Sequence, residues 1–96
     1  MPRLIWSPAS LADIHRLYLF LEAKDAQAAG QAARAIRREA NILDRQPQAG
    51  RPMEGMDPEF REWLVDFGSS GYVILYHFDG ETAVVLRVRH QREAGY

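Results

Sequence analysis

The sequence predicts an α+β fold of the order β-α-α-β-β-β, in which a helical hairpin packs on one face of a small, mostly antiparallel sheet. Two observations carry that expectation. Tyr72 to His90 reads as two strand-like runs, YVILYHF and TAVVLRVRH, about a turn centred on Asp79-Gly80, a strong local signal for a β-hairpin. Upstream, two long segments repeat apolar residues at helical spacing with only Lys24-Asp25 breaking the pattern between them, which predicts an antiparallel pair of helices. Nothing else in the chain can bury the apolar side of the strands, so the helices must lie on it.

Taken in order, Arg3 to Trp6 is a short apolar run and reads as a strand. Ser7-Pro8 supplies a helix N-cap and a first helical residue, because a serine oxygen accepts from a free amide and proline has no amide to waste there. Leu11, Ile14, Leu17, Tyr18 and Leu21 then define an apolar stripe to about Ala23. Leu19 and Phe20 widen it, so this helix is expected to be covered on two sides, by the sheet and by a partner, or else to expose a leucine or two. Asp25 caps a second helix running to roughly Arg45, with Ala29, Ala32 or Ala33, Ile36, Ala40 and Leu43 on its inner face. Alanine favours the helix and, with Gly30, permits close approach of a neighbour.

Residues 46–59 contain Pro47, Gly50, Pro52, Gly55 and Pro58 and read as an irregular loop. Phe60 to Phe67 alternates as a strand, with Trp63, Val65 and Phe67 on one face and Leu64 on the other. Gly68 to Gly71 is a turn into the hairpin. In the last strand, alternation assigns Val84, Leu86 and Val88 to the core and Val85, Arg87 and Arg89 to the uncovered face. An apolar and cationic sheet face without a cover suggests a binding surface.

The chain of 96 residues is expected to form one domain, 1–96, since its 47% hydrophobic content supports one core and little more. The absence of cysteine excludes disulfides and thiolate metal sites and fits a reducing cytoplasm. No signal peptide and no membrane span are expected. A net charge of −1 speaks against a dedicated nucleic-acid binder. Lys24 is the only lysine, so the positive charge is nearly all arginine. That suits bidentate binding of carboxylate or phosphate, although a GC-rich genome gives the same bias.

Metal and cofactor are not expected. His15, His77 and His90 lack paired ligand spacing, with His15 read as a surface residue and His77 as a strand residue holding a local hydrogen bond. Ser69 and Ser70 look like turn formers rather than nucleophiles. One cluster has chemical potential: Arg61, Arg87, Arg89, His90, Arg92 and Tyr96. Metal-free RNA cleavage needs cations on the phosphate and an acid–base pair. Arginines supply the first, and His90 and Tyr96 offer the second. The competing reading is that these arginines pair with acidic residues, here or on a partner.

The chain resembles the RelE/ParE superfamily of toxins from bacterial type II toxin–antitoxin systems. The resemblance rests on Trp6-Ser7-Pro8-Ala9 with Leu11-Ala12-Asp13-Ile14, on Gln46 to Pro52, on Phe60-Arg61-Glu62-Trp63-Leu64-Val65, on Tyr72 to Tyr76 and on Val85 to Arg92. It implies one of two activities: ribosome-dependent mRNA cleavage, as in RelE-like members, or poisoning of DNA gyrase, as in ParE-like members. This chain departs from the RelE-like pattern. It lacks the lysines, carries Met53 where some members have a carboxylate, and has Gln91 after His90 where some have tyrosine. Its pI of about 6.3 also suits ribosomal RNA poorly. The ParE-like reading is therefore preferred, with no catalytic residue assigned. If the chain is instead a ribonuclease, Arg61, Arg87, Arg89 and His90 are its candidates. An inactive antitoxin-binding scaffold is the third reading. The resemblance further implies a ParD-like antitoxin, with operator DNA bound only through it; the wide apolar helix face with Leu17 and Phe20 and the open sheet face with Arg87 and Arg89 are where it is expected to dock.

Overall fold

The computed structural model describes residues 3–93. Tyr96, named above as an acid–base candidate, lies outside them. The elements are β1 (Arg3–Trp6), α1 (Pro8–Glu22), α2 (Ala26–Arg45), β2 (Arg51–Pro52), β3 (Phe60–Phe67), β4 (Ser70–Phe78) and β5 (Thr82–His90). The α+β class and the helical hairpin are as expected, with one added strand. The sheet order is β1-β5-β4-β3-β2, antiparallel except for β1 beside β5. The extra strand, β2, is two residues within the proline-rich loop, paired with Arg61 and Glu62. It is too short to show a period, so sequence patterning has nothing to detect.

Both helices start at their caps. Ser7 Oγ accepts from the Ser10 amide, and Asp25 Oδ1 accepts from the amides of Gln27 and Ala28. The inner face of α2 buries Ala29, Ala32, Ala35, Ile36, Ala40 and Leu43. Gly30 contributes no close approach: a Cβ there would meet only the Arg34 side chain, at 3.4 Å. On α1, Ile14 and Leu17 enter the core, whereas Leu11, Leu19 and Phe20 stay exposed. Leu11 therefore does not belong to the buried stripe assigned to it.

The helix-facing side of the sheet carries Trp63 and Val65 of β3, Tyr72, Ile74 and Tyr76 of β4, and Ala83, Val85 and Val88 of β5. This corrects the assignment of the last strand. Val85 is fully buried, while Val84 and Leu86 are only partly covered. The cause is a β-bulge: Leu75 pairs with Arg87 but Tyr76 pairs with Val85, leaving Leu86 as an extra residue. One inserted residue reverses the inward and outward sides of the strand beyond it. At the β3–β4 turn, Gly71 is obligatory, because a Cβ there would lie 1.9 Å from the Val65 carbonyl oxygen.

Candidate functional site

Among the described residues four places gather polar chemistry: the junction of α1 with β5, the face of the sheet away from the helices, the cleft where β5 turns back towards α1, and the 46–50 segment beside Arg61 and Tyr76.

At the junction, β1 ends opposite Val85, so the edge of β5 beyond it needs new partners. The start of α1 supplies them. The Ser7 amide donates to the Val85 carbonyl, and Ser7 Oγ donates to Leu86 O at the bulge. Asp13 accepts from Arg87 Nε at 2.7 Å, from Arg87 Nη2 at 3.1 Å and from the Val88 amide at 2.9 Å. Burial pushes the Asp13 carboxyl up, but the Arg87 and Val88 bonds outweigh burial and hold it below the ordinary carboxylate range. Arg87 thus meets an internal carboxylate. Sequence distance hides this pairing, since the partners stand 74 positions apart.

On the uncovered sheet face, Val73 and Leu75 are nonetheless buried. Their cross-strand neighbours include Arg89, Arg87, Leu64 and Glu62. Glu62 lies 3.2 Å from Arg51 and 3.9 Å from Arg89, so a line of charge crosses β4 over the apolar floor. Arg89 Nη1 also donates to the carbonyls of His90, Gln91 and Glu93. The face is apolar beneath and cationic above, as expected, but much of that cationic charge is met from within.

Arg61 belongs elsewhere. It pairs with Tyr76 across the strands, on the helix-facing side, while Arg87 and Arg89 pair with Leu75 and Val73 on the other. Its guanidinium donates to Gly50 O at 2.7 Å and Gln48 O at 3.2 Å. Tyr76 holds the same loop: its buried hydroxyl donates to Pro47 O at 2.7 Å and accepts from the Gly50 amide at 2.8 Å. Burial raises the Tyr76 phenol, and the Gly50 bond and Arg61 charge oppose that rise. Arg61 and Tyr76 thus tie down the 46–50 segment.

His90 caps the third place. Its Nδ1 accepts from the Arg92 amide, which puts the neutral ring's proton on Nε2, 3.0 Å from Ser70 Oγ. The ring meets Tyr72 edge-on at 5.5 Å. Beyond it the chain folds back: the His90 amide donates to Glu93 Oε1, and Glu93 bonds Arg16 of α1 at 3.0 Å. The four ribonuclease candidates therefore do not converge on one surface, and each makes bonds that serve the fold. Of the residues expected to meet an antitoxin, Leu17 is in the core, Phe20 is 64% exposed, and Arg87 and Arg89 lie as described.

His15 is exposed, and His77 bonds Glu59 at 2.9 Å. Among the described residues no group of histidine, aspartate and glutamate is arranged to hold a metal ion, and no helix is long and apolar enough to cross a membrane.

A family model described as the ParE toxin of the type II toxin–antitoxin system parDE matches residues 4–95. Toxin RelE1 of Caulobacter vibrioides is 32% identical over 81 residues, which is 84% of either chain. Among solved structures, a chain of the chromosomal ParDE system from P. aeruginosa has a TM-score of 0.78 at 18% identity, over 94% of this chain and 96% of that one. A chain of the RelBE2 toxin–antitoxin complex from Mycobacterium tuberculosis has a TM-score of 0.65 at 22% identity, over 93% and 96%. These two likenesses show the fold.

Proposed function

Because the chain belongs to the ParE toxin family of type II toxin–antitoxin systems, we propose that it inhibits DNA gyrase and is neutralised by a ParD-like antitoxin. The observation that carries this reading is the dispersal of the ribonuclease candidates. Arg61 is bonded to loop carbonyls on one side of the sheet, and Arg87 is held by Asp13 at the edge of the other. A phosphate in a developing transition state needs converging, available cations. Here those guanidinium groups are already spent on the fold. The protein then acts by binding its target rather than by chemistry, in the cytoplasm, and meets operator DNA only through the antitoxin. Of the residues expected at the antitoxin contact, Phe20 is the accessible apolar one and Leu17 acts from beneath by seating α1, while Arg87 and Arg89 are held by Asp13 and Glu62.

The likeness to a relative named as a RelE toxin favours the second reading, ribosome-dependent mRNA cleavage with His90 as acid–base group. Expression of the toxin alone separates the two. Gyrase inhibition predicts filamentation and a DNA-damage response with mRNA intact. Cleavage of translated mRNA at codon-defined positions supports the ribonuclease, and no growth effect supports an inactive scaffold.

A further inference from the structure

The cleft between the second half of α1 and the β3–β4 turn has a distinctive build. It encloses about 540 Å³, room for a few side chains. Leu17, Leu21, Phe67 and Tyr72 contribute its apolar surface. Phe20 forms an exposed wall, with the Lys24 ammonium 4.5 Å from its ring centre. Arg16, Lys24 and Arg92 line the same cleft, and the hydroxyls of Ser69 and Ser70 stand on the turn side.

The charge there is local, because the chain as a whole carries −1. Among the described residues Glu93 is the only acidic one lining the cleft, and it is bonded to Arg16. Among the described residues Lys24 and Arg92 form no ion pair. They differ in this from Arg87, which binds Asp13, and Arg89, which lies beside Glu62. An exposed aromatic wall over an apolar floor asks for apolar side chains, and the free cations ask for carboxylates beside them.

We infer that this cleft, rather than the arginine-bearing sheet face, receives the antitoxin's toxin-binding segment, and that the segment presents apolar side chains flanked by Asp or Glu. This rests on the toxin reading. A single-stranded nucleic acid is the weaker fit: the cleft's surface is more apolar than polar and the net charge of the chain opposes a polyanion. Ion pairs to Lys24 and Arg92 set specificity and encounter rate, while Phe20 carries the apolar contact.

The test uses the full chain and a synthetic amphipathic peptide with leucines on one face and glutamates flanking them. Its controls are the same peptide with lysine for glutamate and a short single-stranded RNA. The glutamate peptide should shift the amide NMR signals of Ser69, Ser70 and Arg92. Lys24→Glu and Arg92→Glu should each weaken it about three- to ten-fold at low salt, the scale of an exposed ion pair reversed in sign. Phe20→Asp should weaken it more than ten-fold, the order expected for an interface anchor. The double charge reversal should prefer the lysine peptide. Shifts confined to residues 84–89 of β5, unchanged affinity in these variants, or preferential occupation by the RNA would overturn the inference. Growth arrest by the wild-type toxin is scored separately. Arrest without cleft binding refutes the docking site alone, and absence of arrest refutes the toxin reading instead.

Discussion

Replacing Asp13 tests how α1 is fixed to the sheet. Its side chain is 6% exposed and accepts three bonds, two from Arg87 and one from the Val88 amide. In Asp13→Ala the Val88 amide, in a residue 1% exposed, is left without its acceptor. A buried unsatisfied donor costs about 1–3 kcal/mol. The Arg87 contribution is smaller, because a side chain 40% exposed can turn to water. The expected loss is therefore about 2–3 kcal/mol for Asp13→Ala, and about 1–2 kcal/mol for Asp13→Asn, whose amide oxygen can still accept from Val88. With a urea slope near 1 kcal/mol/M, the alanine variant's midpoint should fall by about 2–3 M.

The pH dependence follows from the same bonds. The folded-state pKa of Asp13 is depressed, so its contribution is present above the unfolded-state value of about 3.9 and is lost as pH falls through the folded one. The gap between wild type and Asp13→Asn should be full at neutral pH and close as the solution becomes strongly acidic. Glu93 and Asp79 are depressed as well. Both residues are shared by the two proteins, so they cancel in the comparison. A gap independent of pH, or no loss at neutral pH, would refute the reasoning.

Further outcomes concern other ties. Tyr76→Phe removes a buried hydroxyl bonded to Pro47 and Gly50; it should cost about 1–3 kcal/mol and speed hydrogen exchange at the Gly50 amide. Trp63 is half-buried with its indole on Glu39, so Trp63→Ala should cost about 2–3 kcal/mol, below the 3–5 typical of a fully buried tryptophan; thermal melts would show it. Arg16→Ala breaks the exposed pair to Glu93. It should cost less than about 1 kcal/mol, and the effect should vanish in molar salt.

Much of the fold was legible because it is written locally. Ser7 and Asp25 cap where their spacing said, and β3 alternates over its full length, so Trp63 and Val65 were assigned to the correct side. What failed was non-local. The bulge at Leu86 leaves the residue pattern of TAVVLRVRH looking regular, yet it buries Val85 and half-exposes Leu86. Arg87 looked outward-bound for a partner because nothing near it in sequence announces Asp13. The cluster of Arg61, Arg87, Arg89 and His90 came from element ends that look adjacent on paper. Register separates Arg61 from the other arginines by a sheet face. Phe20 is legible in the sequence as an excess apolar residue, since a helix with one covered face has no use for it. The place of Lys24 beside it is visible only once the cleft is formed.

The most direct test of the toxin's action is a supercoiling assay with purified DNA gyrase, run beside a translation reaction supplied with the same toxin. Supercoiling should be lost while translated mRNA stays whole. Normal supercoiling at saturating toxin, together with mRNA cut on the ribosome, would contradict it.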